Sequence, residues 1–330
     1  MGNESNILEL AKKQLGSISD AEKKFLRAVV NGLMANYISN TEKNNDPKMA
    51  EGWGNERVVR AEVITWLCMN RHVSTLVTHR GIAARGVRVE GRLNLHFARI
   101  MFPLCFEKCA FPEGVNLRAS RLLLLILSGT FTGPIRGEGM GVDSDVVLDR
   151  GFKANSGVSL IDASVGGSLI CNDGQFMGES TKAFVLDRLK IRGSIFFQNG
   201  FEALGEVRLN GAIIGGNLEC DGGRFINLKQ GGLVINADHM EVAGLVFLRE
   251  GFKAQGEVSM NGVRIRGNLD CHKGQFMNTD GDAITADCMK VGASVQFSDG
   301  CEVEGCVWLS GATIGGRLSW FDICSTENVT

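Results

Sequence analysis

The sequence predicts an all-β solenoid, a right-handed parallel β-helix of about ten turns preceded by a helical segment. Three observations lead to this fold class: sequence blocks that recur at a fixed distance, short apolar strands between glycines, and 43 Gly beside 4 Pro in 330 residues. Average usage is roughly 7% Gly and 5% Pro. Frequent glycine with little proline indicates many tight backbone corners.

The repeat organises the chain from position 81 onward. Equivalent blocks recur along the sequence with a weaker copy halfway between them, so one turn takes roughly 25 residues, a length typical of solenoid repeats. The small residues that mark these blocks are Gly167, Gly193, Gly216, Gly244, Gly267, Ala293 and Gly316. Short strands at a fixed period, each unable to bury its own face, are typical of a stacked solenoid. We therefore assign 81–330 to the β-helix.

Strand alternation sorts the side chains between the inside and the outside of the coil. Leu169 and Cys171 share one face, and the equivalent positions of later turns are apolar as well. We expect the following residues to stack inside: Leu218, Cys220, Leu269, Cys271, Ile195, Phe197, Val246, Leu248, Val295 and Phe297. Phe176, Phe225 and Phe276 form a second regularly spaced column. A continuous core is the result.

The segment 1–80 is predicted to form a helical cap over the N-terminal end of the coil. Ser19 and Glu22 have the spacing of a capping box, and apolar residues follow at helical spacing, so we expect a helix from about 20 to 37. A second helix is expected from about 55 to 70. The polar stretch 40–54 holds Pro47 and two glycines and is assigned to a loop.

Composition and charge favour a cytoplasmic protein. The ten cysteines lie in a long chain without an apolar leader, which favours reduced thiols. The longest apolar run, Leu122–Leu127, is six residues, far short of the roughly 20 that span a bilayer. We therefore expect no membrane span. The net charge of −2 gives no reason to expect nucleic acid as a partner.

Cysteine and aspartate recur at repeat spacing, and both recurrences have structural explanations. Cys171, Cys220 and Cys271 would lie two turns apart, about 9.6 Å by strand spacing. Zinc holds its sulfurs at about 2.3 Å, so we expect buried thiols and no metal site. Asp187, Asp238 and Asp287 also recur. They are expected to accept backbone N–H groups at a corner, although a row of carboxylates could also bind a cation.

One segment matches a catalytic motif of β-helical polygalacturonases. Residues 278–281 have the sequence Asn-Thr-Asp-Gly, but no His follows His272 and little of the chain remains for the other motifs of those enzymes. We therefore predict no catalytic residue, no cofactor and no enzymatic activity.

The outward side of the Leu-x-Cys strands is the candidate binding surface. Phe196, Leu245 and Phe247 are expected there among polar neighbours, and exposed apolar patches rimmed by polar groups mark interfaces. Coverage by a loop or by the N-terminal helices is the alternative. Trp308, between inward Val307 and Leu309, is the other aromatic residue expected to face outward.

The repeat also carries a resemblance to known families. Gly151–Ser159, Gly251–Ser259 and Gly262–Cys271 resemble a poorly characterised family of bacterial repeat proteins, some labelled membrane-associated oxidoreductases. No dinucleotide-binding glycine motif supports that label here. The repeat is also similar to bactofilins, β-helical polymer-forming scaffold proteins. Large apolar residues at nearly every fifth position of 97–131 are similar to pentapeptide-repeat proteins.

These observations favour a non-enzymatic scaffold or adaptor that binds a protein partner along one side of the rod, since rigid solenoids offer extended surfaces. The predicted partner-binding residues are Phe196, Leu245, Phe247 and Trp308. A carbohydrate-active or carbohydrate-binding β-helix is the second hypothesis. Self-association into a structural filament is the third.

Overall fold

The structure is a computed structural model that describes residues 2–227, 229, 232–321 and 324–325. From Ile82 to Trp320 the chain coils through about ten turns, and every turn adds parallel strands to three sheets. The predicted parallel solenoid with preceding helices is confirmed, whereas its right-handed sense stays a prediction.

Sheet A, sheet B and sheet C together form the wall of the coil. The twelve strands of sheet A are Ala35–Asn36, Ile82–Arg85, Leu104–Glu107, Leu125–Ile126, Val146–Val147, Leu169–Ile170, Ile195–Phe196, Leu218–Glu219, Val246–Phe247, Leu269–Asp270, Val295–Phe297 and Leu318–Trp320. The ten strands of sheet C are Arg99–Ile100, Arg121–Leu122, Gly141–Val142, Ser164–Val165, Lys190–Ile191, Ile213–Ile214, Glu241–Val242, Arg264–Ile265, Lys290–Val291 and Thr313–Ile314.

Sheet B is the longest because most turns contribute two strands or one long one to it. Its eighteen strands are Val58–Arg60, Arg88–Glu90, Leu93–Asn94, Ala110–Phe111, Val115–Asn116, Phe131–Thr132, Ile135–Arg136, Lys153–Ala154, Val158–Ser159, Gln175–Val185, Glu202–Arg208, Arg224–Ile226, Leu233–Asn236, Lys253–Gln255, Glu257–Ser259, Gln275–Thr285, Glu302–Trp308 and Cys324–Ser325.

Turn length varies mainly inside sheet B. The first turns are the shortest, since Ile82 pairs with Leu104 and Leu104 with Leu125. They are shorter than predicted, and 101–145 forms regular turns without a bulge. The longest turn runs from Leu218 to its partner Val246. In the longer turns the extra residues lie where the register of sheet B shifts, first after Met177 and then at the same place in alternate later turns.

The interior is a stack of like side chains, as predicted. Cys171, Cys220 and Cys271 are buried in register with the apolar residues of the intervening turns. The predicted phenylalanine column has more members than expected, because each intervening turn also contributes one phenylalanine. The rings follow one another at 5.2–5.4 Å in the order Phe152, Phe176, Phe201, Phe225, Phe252 and Phe276.

The N-terminal segment contributes three α-helices, α1 (Asn3–Leu15), α2 (Asp20–Val30) and α3 (Ala61–Met69). Short 3-10 turns cover Glu42–Asn45, Pro47–Gly52, Asn55–Arg57 and Val73–Leu76. The buried faces of the helices join the same apolar cluster as the first turns of the coil. Ser19 and Glu22 form the predicted capping box, with N···O distances of 2.9 and 3.1 Å.

Both predicted helices are shorter than expected, and α1 was not predicted. The helix expected at 20–37 ends at Val30, because Gly32 takes a φ of +64° and Ala35–Asn36 forms the first strand of sheet A. The helix expected at 55–70 begins at Ala61, since Val58–Arg60 pairs with Arg88–Glu90 in sheet B. Strand pairing with the open first turn overrides the helical pattern at both places.

We expect Phe225→Ala to weaken the coil by about 3–5 kcal/mol, because it removes a fully buried ring that packs between the rings of Phe201 and Phe252. Hydrogen exchange should accelerate most in the strands of the adjacent turns, since solenoid stability depends on nearest-neighbour contacts. Phe196→Ala, at a half-buried outward position, serves as the control. Equal loss of protection in the two variants would contradict the proposed core.

Candidate functional site

The outer face of sheet A carries an unbroken row of apolar side chains in its first six solenoid turns. Each member pairs in register with the next, and all are half-buried. This apolar column consists of Ala83, Cys105, Ile126, Val147, Ile170 and Phe196. The sequence pattern placed Ile170 and Phe196 on this outward side but missed the four earlier members, because the short first turns lack the Gly-x-Leu-x-Cys signature. Leu104, Leu125 and Val146 point inward, so strand alternation places the residue after each of them outward. This alternation is the sequence signal that would have located the earlier members of the column.

A ladder of polar side chains runs beside the apolar column, on the side toward sheet C. The Ser168 N–H donates to Asp145 Oδ1 at 2.7 Å, and the Ser194 N–H donates to Ser168 Oγ at 3.2 Å. The ladder continues through Asn217, whose N–H donates to Ser194 Oγ at 2.9 Å and whose Oδ1 accepts from the Leu245 N–H at 3.0 Å. Each turn therefore fixes the backbone of the next.

The opposite flank of the column is polar as well. Arg85 and Glu107 form an ion pair there at 3.7 Å, and Asp149 accepts from the Ser128 hydroxyl. Farther along, the Gln198 N–H donates to Asn172 Oδ1. The apolar column therefore lies between two polar flanks. This is the composition of an interface, with an apolar centre and a polar rim.

Of the predicted partner-binding residues, the structure places Phe196, Leu245 and Phe247 on sheet A. Phe196 and Phe247 lie two strands apart with Glu219 between them. Leu245 is half-buried and occupies a position of the polar ladder, which it interrupts because it has no side-chain acceptor. The Arg249 guanidinium covers the Phe247 ring, 3.9 Å from its centroid. Phe247 is therefore not an open apolar surface like the column.

Trp308 does not join this group. It is exposed, as predicted, but it belongs to sheet B, where it pairs with Thr285. Its indole N–H donates to Asp282 Oδ1 at 2.6 Å. A partner bound along the apolar column of sheet A would therefore not contact Trp308 on sheet B.

Beyond Phe196 the outer face of sheet A becomes charged. Arg249 bonds Asp221 at 3.2 Å and Asp270 at 3.1 Å. His272 bridges two carboxylates, with Nδ1 2.7 Å from Asp270 Oδ1 and Nε2 2.9 Å from Glu250 Oε1. Because these charges are matched with opposite charges in consecutive turns, the cluster stabilises the coil and separates the apolar column from the C-terminal turns.

The repeated cysteines and aspartates have the predicted structural roles. Burial raises the pKa of Cys171, Cys220 and Cys271 well above the usual value of 9.0, so these thiols are neutral. Asp238 Oδ1 accepts from the Asn261 N–H at 2.9 Å, and the two equivalent aspartates, Asp187 and Asp287, accept backbone N–H groups in the same way. Within the described part of the chain, no group of three His, Cys, Asp or Glu side chains is placed to hold a metal ion.

The segment 278–281 lies where sheet B shifts register between Met277 and Asp282. The Asn278 side chain donates to the Asp282 carbonyl at 2.7 Å, closing the small loop on itself. This geometry is that of an insertion in a strand.

None of the family models, curated proteins or solved structures with which the sequence was compared matches it. What the structure supports of the resemblances is therefore the β-solenoid repeat architecture. Among the described residues, no helix combines the length and the apolar character needed to cross a bilayer.

We expect the stability of the C-terminal turns to fall as pH rises through the pKa of His272. Burial lowers this pKa, but hydrogen bonds to Asp270 and Glu250 outweigh it and raise the pKa above its usual 6.5. A raised pKa in the folded state stabilises the protein below the unfolded value and loses that effect above the folded one. Thermal unfolding measured from about pH 5.5 to 8.5 should show this loss of stability in the wild type and in His79→Asn, and a smaller loss in His272→Asn. His79→Asn is the control; a loss in His272→Asn equal to that of the wild type would contradict the assignment.

Proposed function

We propose that this chain is a non-enzymatic, cytoplasmic scaffold or adaptor that binds a protein partner along sheet A. The observation that carries the proposal is the apolar column with polar groups on both flanks. A row of half-buried apolar residues over six turns forms a contiguous apolar surface, whereas single apolar residues scattered over a protein surface do not. The nine cysteines whose side chains the structure describes are all unpaired thiols, which is consistent with a reducing compartment.

The dimensions of the column favour an amphipathic helix as the partner element. Six residues at strand spacing cover about 24 Å, the length of roughly 16 helical residues. Helical turns rise by about 5.4 Å, close to the roughly 4.8 Å between strands, so one apolar side chain of the helix can contact each row. The polar flanks would then contact the sides of that helix.

Phe196 is the bulkiest member of the column and its last residue before Glu219. Aromatic side chains, phenylalanine included, are enriched in protein interfaces, so Phe196 is our first choice for an anchor. Leu245 and Phe247 lie beyond Glu219, and Arg249 already covers Phe247. We place these two at the rim of the proposed interface. The resemblance to bactofilins, which are scaffold proteins, agrees with this role. Membership of the poorly characterised family of bacterial repeat proteins, which the sequence resembles, is also part of the proposal.

We expect Ile170→Asp combined with Phe196→Asp to weaken partner binding at least tenfold, because two carboxylates would be buried against the apolar face of the partner helix. A photo-reactive residue in place of Val147 would first capture the partner in cells. Binding of the purified partner to the double variant would then be measured by calorimetry.

The matched control is Leu204→Asp combined with Met277→Asp, which places the same charges at half-buried outward positions of sheet B. The control should bind the partner normally. Equal weakening in both double variants, or equal crosslinking from Val147 and Leu204, would refute the sheet A face. Glycan depolymerisation by the purified chain would instead favour the carbohydrate hypothesis, and long polymers in electron micrographs the filament hypothesis.

A further inference from the structure

The outer face of sheet C is a groove that follows the long axis of the coil. Two depressions of about 620 and 540 Å³ are lined by consecutive strands and meet at Ile213. The first extends from Arg121 to Ile213, and the second from Ile213 to Thr313. Together they form one channel along nine of the ten strands of the sheet.

The outer face of sheet C, which this groove follows, is strongly basic although the whole chain has a net charge of −2. Each strand presents outward its first residue and the residue that follows the strand, which gives twenty positions. Seven of them are Lys or Arg and two are acidic, a net of +5. The basic residues are Arg99, Arg121, Lys190, Arg192, Arg264, Arg266 and Lys290. All seven are exposed, and all except Arg99 line the groove.

Three levels of basic residues are evenly spaced along the channel, and Lys290 lies on the strand next to the third level. The strand of Arg121 lies three strands from that of Lys190, which lies three strands from that of Arg264. Three strand spacings amount to about 14 Å. At the second and third of these levels the groove holds a pair, with Arg192 and Arg266 across the strand from Lys190 and Arg264.

Most of these cations have no competing ion pair. Arg264 bonds Glu241 at 2.9 Å, whereas the other six form no ion pair with the part of the chain that the structure describes. Arg192 is flanked in the neighbouring turns by Gly166 and Gly215, whose positions have no room for a side chain because backbone carbonyl oxygens approach them closely. The Arg192 side chain therefore extends over bare backbone, open to a ligand.

The chemistry of the lining selects among polyanions. The described residues that line the channel include no aromatic ring, so the stacking platforms that single-stranded nucleic acids use are missing. The floor between the basic levels is aliphatic, with Ile213 44% exposed beside Ala243. A concave channel also receives a chain better than a flat bilayer. Carboxylates alternating with aliphatic side chains complement this lining, and arginine clusters recognise acidic motifs of proteins.

We propose that the sheet C groove binds an extended acidic polypeptide segment, with pairs of adjacent carboxylates that recur about every four residues. An extended chain advances about 3.3 Å per residue, so four residues match the distance between basic levels. Adjacent side chains of such a chain point to opposite sides, so one Glu-Glu pair reaches Lys190 and Arg192 together. The groove is on a different sheet from the apolar column and does not depend on the function proposed for that column.

The test uses the full-length chain and two fluorescent peptides of identical composition. One repeats Glu-Glu-Leu-Ser three times, and the other has all six glutamates in one block. Fluorescence anisotropy at about 150 mM salt, where distant charges are screened, should give at least fivefold tighter binding of the repeated peptide. Lys190→Glu combined with Arg192→Glu should weaken its binding at least tenfold.

Lys12→Glu combined with Lys13→Glu on α1 makes the same change in net charge and should keep the affinity within twofold. The Ile170→Asp, Phe196→Asp variant should bind the peptide normally, which separates this proposal from the one on sheet A. Absence of binding, equal affinity for the two peptides, or equal weakening in both charge variants would overturn the proposal. So would tighter binding of polyglucuronate, a single-stranded oligodeoxynucleotide or phosphatidylserine vesicles at matched charge.

Discussion

The in-register pairing of parallel strands determines every surface of this molecule. Because each residue lies beside its counterpart in the next turn, a residue type that recurs becomes a continuous column with about 4.8 Å per step. Inside the coil this gives the phenylalanine stack and the row of buried cysteines. Outside it gives an apolar column on sheet A and a basic channel on sheet C. The same backbone constraint thus produces a core and two chemically distinct faces.

The first turn needs a neighbour on its open side, and the N-terminal segment supplies one. Two short strands from that segment extend sheets A and B, while the helices bury their apolar faces on the same core. Glu22 links these parts, since it closes the α2 capping box and also bonds Arg60, at 2.6 Å, where sheet B begins. The helical segment and the coil are consequently one cooperative packing unit at this end.

The repeat was sufficient to predict the solenoid, its strands and most of its interior, because periodicity states directly which residues stack. It did not predict where α2 ends or where α3 begins, since the competing strand partners are nonlocal. The surface was only partly predictable. Phe196 and Phe247 looked equivalent in sequence, yet Arg249, just after Phe247, covers only that ring. The basic channel was missed because its levels are separated by several turns of sequence and a total charge near zero conceals them.

The confinement of extra residues to the middle of sheet B has a practical consequence. Insertions occur there in alternate turns, near Met177, Leu233 and Met277, while sheets A and C keep their spacing. Sequence of another length can therefore be exchanged at these sites without altering the rest of the rod. A fluorophore or peptide tag placed at two of them would report distances in steps of about 9.6 Å, which makes this chain a calibrated spacer for distance measurements.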